Sequence, residues 1–120
     1  MQNKKIRVFL IEDDKADYLL FQRMVQQERG DRAYDLEWSD NYEEGLKKIQ
    51  QRAHDIYVVD YRIGPEDGLD LVREAAEKGH KGPFILLTGL DSPEAYGRSL
   101  ACGVYDYILK SELSASLIDR

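Results

Sequence analysis

A single cysteine, Cys102, leaves no partner for an intramolecular disulfide and too few thiols for a multi-cysteine zinc site. Its setting, Leu100-Ala101-Cys102-Gly103, reads as a helix end, so a small buried thiol is expected there. Long apolar runs are missing as well: none approaches the roughly 18 to 20 residues of a membrane helix, and Met1-Gln2-Asn3-Lys4-Lys5 leads into a strand pattern, not a signal peptide. The expectation is a cytoplasmic domain with no membrane partner. Excess positive charge is absent too. The formal net charge is -6 and the basic residues are scattered among acids, which argues against direct nucleic-acid binding by this segment.

What is present is a globular composition, 42% hydrophobic and 33% charged over 120 residues, enough for one domain with its own core. Ile6 to Ile11 is a nearly continuous apolar run, as in a strand covered on both faces. The spacing predicts a helix over 15–28 with Ala16, Leu20 and Met24, flanked by Leu19 and Val25, as its inner stripe, and Gly30 as its stop. A second strand is expected over 33–38 and a helix over 41–52 with Leu46 and Ile49 inward. Ile56-Tyr57-Val58-Val59-Asp60 is a third strand ending on an acid, and Asp67 is placed to cap a helix carrying Leu69, Val72, Ala75 and Ala76. Gly79 stops that helix. Phe84-Ile85-Leu86-Leu87-Thr88 is the fourth strand; Ser92-Pro93 starts a helix to about Cys102; Val104 to Leu109 is the fifth strand. The rest, Ser111 to Arg120, begins a fifth helix that is cut short, so the expectation is one domain over 1–120, excised from a larger protein, with a stand-alone regulator as the alternative. His54 and His80, beside Asp55 and Lys81 at loop edges, are expected to be solvated.

Strands alternating with helices through short loops imply βαβ units, hence an α/β fold: one doubly wound, five-stranded parallel sheet, order 2-1-3-4-5, flavodoxin-like, with helices on both faces. In that order the C-terminal ends of strands 1 and 3 meet at the topological switch point, where open α/β sheets bind ligands. The strands deliver polar groups there: Glu12, Asp13 and Asp14 from the first, Asp60 from the third, Thr88 from the fourth and Lys110 from the fifth. Adjacent carboxylates repel, and together they suit a hard divalent cation such as Mg²⁺. Lysine and threonine suit phosphoryl oxygens, and Asp60 between them is placed to act as a nucleophile giving an aspartyl phosphate. Asp14, one step further from the strand, is expected to cap the first helix.

These landmarks, LIEDD, VVDYRIGPEDGLDL, ILLTG and YDYILK in that order over essentially the whole chain, resemble a response-regulator receiver domain of two-component signal transduction. The resemblance implies that Asp60 accepts a phosphoryl group from the phosphohistidine of a sensor histidine kinase or phosphotransfer protein. It implies Mg²⁺ held by Asp13, Asp60 and the Arg62 backbone carbonyl, with Glu12 acting through water, and phosphoryl oxygens bound by Thr88 and Lys110. Thr88 and Tyr107 would then switch the surface of the fourth helix, fifth strand and fifth helix, through which a homodimer could also form. The implied role is a signalling module and not an enzyme.

Departures from the family pattern are also legible. Ser111 follows Lys110 where the family usually has proline, often reached through a cis bond that would cost a non-proline residue about 2.5 to 4 kcal/mol. Arg62 and Leu90 occupy positions that modulate phosphoryl hydrolysis in the family, and a bulky Arg62 could shield or pair with the phosphate. Two other functions compete. A degenerate receiver used only for protein interaction or dimerisation is opposed by the complete acid, hydroxyl and lysine set. A small aspartate-dependent phosphohydrolase typically needs an acid two residues after the nucleophile, where this chain has Arg62.

Overall fold

The computed structural model describes residues 5–26, 33–89 and 92–112. Five strands, β1 (Lys5–Ile11), β2 (Ala33–Ser39), β3 (Ile56–Asp60), β6 (Phe84–Thr88) and β7 (Asp106–Leu109), form one parallel sheet in the order β2-β1-β3-β6-β7. This is the expected order. Between them lie α1 (Lys15–Gln26), α2 (Tyr42–Gln50), α3 (Gly68–Glu77) and α4 (Pro93–Ala101). A short antiparallel pair that the breaker residues concealed, β4 (Arg62–Ile63) and β5 (Glu66–Asp67), interrupts the loop before α3. A 3₁₀ turn, Lys110–Glu112, follows β7, and the expected course of the chain from residue 113 onward lies outside the described residues, as does the Gly30 helix stop.

The alternation of side chains along each strand divides the core in two. Phe9, Ile11, Tyr57 and Val59 pack with Leu46, Ile49, Leu71 and Val72 from α2 and α3. On the other face Val8, Leu10 and Val58 pack with Phe21 and Val25 from α1. Buried apolar residues on both sides of β1 and β3 account for their unbroken apolar runs.

Two caps form as the sequence predicts: Asp67 Oδ1 accepts from Leu69 N–H and Ser92 Oγ from Ala95 N–H. Asn41, read as the first helical residue, is instead the cap of α2, its Oδ1 accepting from Glu44 N–H. Two inner faces and two histidines need correction. On α1 Val25 is buried and Met24 packs partly against the core as expected, but Phe21 is the other buried residue, whereas Ala16, Leu19 and Leu20 are exposed; Tyr18 to Phe21 offer apolar groups on successive sides and the larger Phe21 takes the core. On α3 Leu71 is buried and Ala76 exposed. His54 and His80, expected in solvent, are instead buried side chains stacked among Phe9, Tyr57 and Phe84. Cys102 is the C-cap of α4 and only half-buried.

Candidate functional site

Parallel pairing brings the C-terminal ends of β1, β3, β6 and β7 to one edge, so the polar residues ending those strands converge. The loop after β1 is fixed from β2: Glu12 N–H donates to Ser39 O, and Trp38 Nε1–H donates to Glu12 O at 2.7 Å. Trp38 is itself held by stacking on Tyr18, ring centroids 4.0 Å apart. Asp14 points away and caps α1, accepting from Ala16 N–H at 2.8 Å. Beneath the opposite wall, Gly68 lets α3 begin against β3; a Cβ there would stand 2.0 Å from the Asp60 carbonyl oxygen.

Within this frame one carboxylate oxygen from each of Glu12, Asp13 and Asp60 lies within 4.8 Å of the others. Glu12 and Asp60 are buried, at 1% and 5% exposure, while Asp13 is exposed and accepts from Gly64 N–H at 2.8 Å, tying the β1 loop to the β4–β5 turn. Three anionic oxygen donors at one place suit a hard divalent cation. Lys110 Nζ reaches into the cluster, 2.8 Å from Glu12 Oε2, 3.3 Å from Asp60 Oδ2 and 2.6 Å from Asp17 Oδ2. Asp60, Thr88 and Lys110 share a cavity of about 500 Å³ that Arg62 and Glu94 also line.

Burial sets the electrostatics. It pushes Glu12 up to about 8, reinforced by the neighbouring Asp60 and only partly opposed by Lys110. Asp60 is also raised, again by burial first, against the lowering pull of Glu12, Lys110 and the Arg62 backbone N–H. Glu12 and Asp60 titrate as a pair, and both directions describe two buried carboxyls that resist ionising together. For Lys110 burial pulls the ammonium down, but hydrogen bonds to Asp17 and Glu12 and the charges of Asp60 and Glu12 outweigh it and leave it above its ordinary value. The cluster is therefore a set of acids kept together by one cation.

The switch candidate Tyr107 is half-buried on β7; its hydroxyl accepts from Ser92 N–H at 3.3 Å and its ring meets Tyr96 edge-on. Gly82–Pro83 is the sole cis peptide among the described residues, so Lys110–Ser111 is trans. Arg62 is exposed, its guanidinium lying over the Tyr61 ring. Leu90 lies outside the described residues. Two participants escaped the sequence reading. Asp17, in the first turn of α1, joins the edge through Lys110 Nζ. Arg98 of α4 donates to Asp67 Oδ2 at 2.7 Å and to Tyr61 Oη at 3.2 Å, a contact that no local pattern announces.

The family model described as response regulator receiver domain matches residues 8–120. The chain belongs to the receiver-domain family of response regulators. Among curated relatives, the receiver is 29% identical over 112 residues to the two-component response regulator PhoP of Pseudomonas aeruginosa, covering 90% of this chain and 48% of that protein. It is 28% identical over 105 residues to the transcriptional regulatory protein QseB of Escherichia coli O157:H7, covering 88% of this chain and 46% of the other. The chain thus spans about half the length of these relatives. A solved CheY-like receiver domain from Methanospirillum hungatei JF-1 superposes with a TM-score of 0.81 at 24% identity, covering 97% of this chain and 90% of that one. The receiver domain of Francisella response regulator 1452 gives 0.79 at 25%, covering 96% and 92%. This receiver is a signalling domain of two-component systems, with an acidic cluster at its switch-point edge. Among the described residues no helix is long and apolar enough to cross a membrane.

Proposed function

We propose that this receiver accepts a phosphoryl group on Asp60 from the phosphohistidine of a sensor histidine kinase or phosphotransfer protein in the cytoplasm. The observation that carries the reading is Lys110 Nζ set 3.3 Å from the Asp60 carboxylate in a cavity also lined by Thr88. In the transfer an Asp60 carboxylate oxygen forms the new P–O bond, the P–N bond of the donor breaks, and its electrons return to the imidazole. Lys110 and the Thr88 hydroxyl would take phosphoryl oxygens, offsetting charge that Asp60 alone cannot carry in a buried site.

The three carboxylates together fit Mg²⁺; Asp13, Asp60 and the Arg62 backbone carbonyl would hold it, with Glu12 acting through water. When bound, the ion supplies charge neutralisation at the acceptor. Glu12, which burial pushes up, would have its ionised form favoured by such a cation. Movement of Thr88 and Tyr107 after modification would reshape the surface of α4, β7 and the chain beyond it, the face offered to a downstream partner or to a second copy. The domain is read as 1–120.

The test is incubation with Mg²⁺ and acetyl phosphate, read by intact mass, with Asp60→Asn as control. An Asp60-dependent phosphoryl adduct is expected. Its absence would leave the interaction-module reading, and repeated turnover of unrelated phosphate esters would favour the phosphohydrolase.

A further inference from the structure

The peptide that joins Glu12 to Asp13 carries two of the three clustered carboxylates, one on each side, and its carbonyl is held by a side chain and not by the sheet. Parallel pairing sets Leu10 beside Trp38 and Ile11 beside Ser39, and Glu12 N–H makes the last rung to Ser39 O at 3.1 Å. The next rung would need a donor from Asn41, but β2 has ended and Asn41 turns the chain as the cap of α2. Trp38 supplies the donor. Its indole N–H, a group that can only donate, meets Glu12 O at 2.7 Å, at the short end of the usual range for such bonds. The ring lies flat on Tyr18 of α1, planes 6° apart and centroids 4.0 Å apart, and the Tyr18 amide donates to Asp14 O at 3.0 Å. One aromatic pair therefore spans both ends of the acidic loop.

A carbonyl pinned in this way fixes the peptide plane, and with it the directions in which the two side chains leave the backbone. Glu12 goes inward, where its Oε1 accepts from Asp14 N–H at 3.1 Å; Asp13 goes outward, where its Oδ2 accepts from Gly64 N–H at 2.8 Å. Both of those bonds end on carboxylate oxygens, the atoms a cation would claim. The two main-chain restraints do not compete with it: the Ser39 rung fixes the amide of Glu12 and the Trp38 bond fixes its carbonyl. We propose that Trp38 is a positioning residue for the divalent-cation site. By holding the Glu12 carbonyl it sets the Asp13 carboxylate toward Glu12 and Asp60 in advance, so that binding does not have to order the loop. The inference rests on the Mg²⁺ reading given above.

Trp38 is the single tryptophan of the chain, so biosynthetic replacement of tryptophan by benzothienyl-alanine, which keeps the ring outline with sulfur in place of N–H, removes this hydrogen bond alone. Mg²⁺ is titrated into the wild type, the analogue protein and Trp38→Phe, and binding is read by NMR from the amide signal of Gly64, the donor to Asp13. Half-saturation should move to roughly fivefold higher Mg²⁺ in both altered proteins, the worth of one hydrogen bond. The titration needs no phosphodonor, so failure of phosphorylation at Asp60 does not touch it. With acetyl phosphate, the rate of adduct formation should fall at limiting Mg²⁺ and recover at saturating Mg²⁺, a split that a general loosening of the fold would not give. Wild-type half-saturation in the analogue protein overturns the role of Trp38 and leaves the Mg²⁺ reading in place. A lowered rate that saturating Mg²⁺ does not restore also overturns it, by assigning Trp38 to the fold alone. A wild-type Gly64 signal that does not respond removes the Mg²⁺ reading and this inference together.

Discussion

Replacing Asp17 with Asn preserves the shape of the first turn of α1 while removing one of three carboxylates that share the Lys110 ammonium. Asp17 has the shortest of those contacts, 2.6 Å against 3.3 Å to Asp60. The lysine is therefore drawn partly away from the acceptor. With side chains 22% and 31% exposed, the Lys110–Asp17 pair lies between a surface ion pair of about 0 to 1 kcal/mol and a charge-assisted hydrogen bond of about 1.5 to 3 kcal/mol. Taking about 1 kcal/mol, release of Lys110 toward Asp60 should raise the rate of adduct formation at limiting acetyl phosphate roughly fivefold. Intact mass against time, with thermal unfolding as the check on folding, measures this. A wild-type rate in a variant of unchanged thermal midpoint would refute the idea that Asp17 draws on Lys110. A slower rate would show the reverse role, Asp17 holding the ammonium where Asp60 needs it.

Asp13→Asn should abolish the Mg²⁺-dependent adduct at unchanged stability, whereas Asp14→Ala should keep the adduct and lower urea stability by about 1 kcal/mol through loss of the α1 cap; equal effects on Mg²⁺ affinity would refute that division. Gly68→Ala puts a methyl group 2.0 Å from the Asp60 carbonyl, so a loss of about 3 kcal/mol or more is expected in denaturant unfolding, together with impaired adduct formation. Burial and Arg52 hold His80 below the ordinary histidine value, so the unfolded chain binds the extra proton first and stability falls as pH drops below about 6.5. His80→Asn, which keeps an acceptor for Gly82 N–H, should flatten that acid-side slope in thermal melts across pH.

The sheet order and the gathering of Glu12, Asp13, Asp60, Thr88 and Lys110 were legible because they follow from rules local to each strand. An apolar run ends, a polar residue follows, and parallel topology does the rest. The face chosen by α1 was not legible. Tyr18-Leu19-Leu20-Phe21 offers apolar residues on most sides, and only packing against Val8, Leu10 and Val58 selects Phe21 and Val25. His54 and His80 were misread for a related reason: their sequence neighbours Asp55 and Lys81 are polar, while the rings that bury them, Phe9, Tyr57 and Phe84, come from three different strands. Asp17 and Arg98 act through partners 93 and 31 positions away, beyond any periodic signal.

Asp67 serves two masters. One oxygen caps α3 through Leu69 N–H, and the other holds Arg98 of α4. The loop that begins at Asp60 and the helix α4 are thus joined through the same carboxylate. Linkage then runs in both directions. Under the proposed function, whatever coupling this carboxylate carries is equal in both directions, so a partner clasping α4 would also change how readily Asp60 is modified.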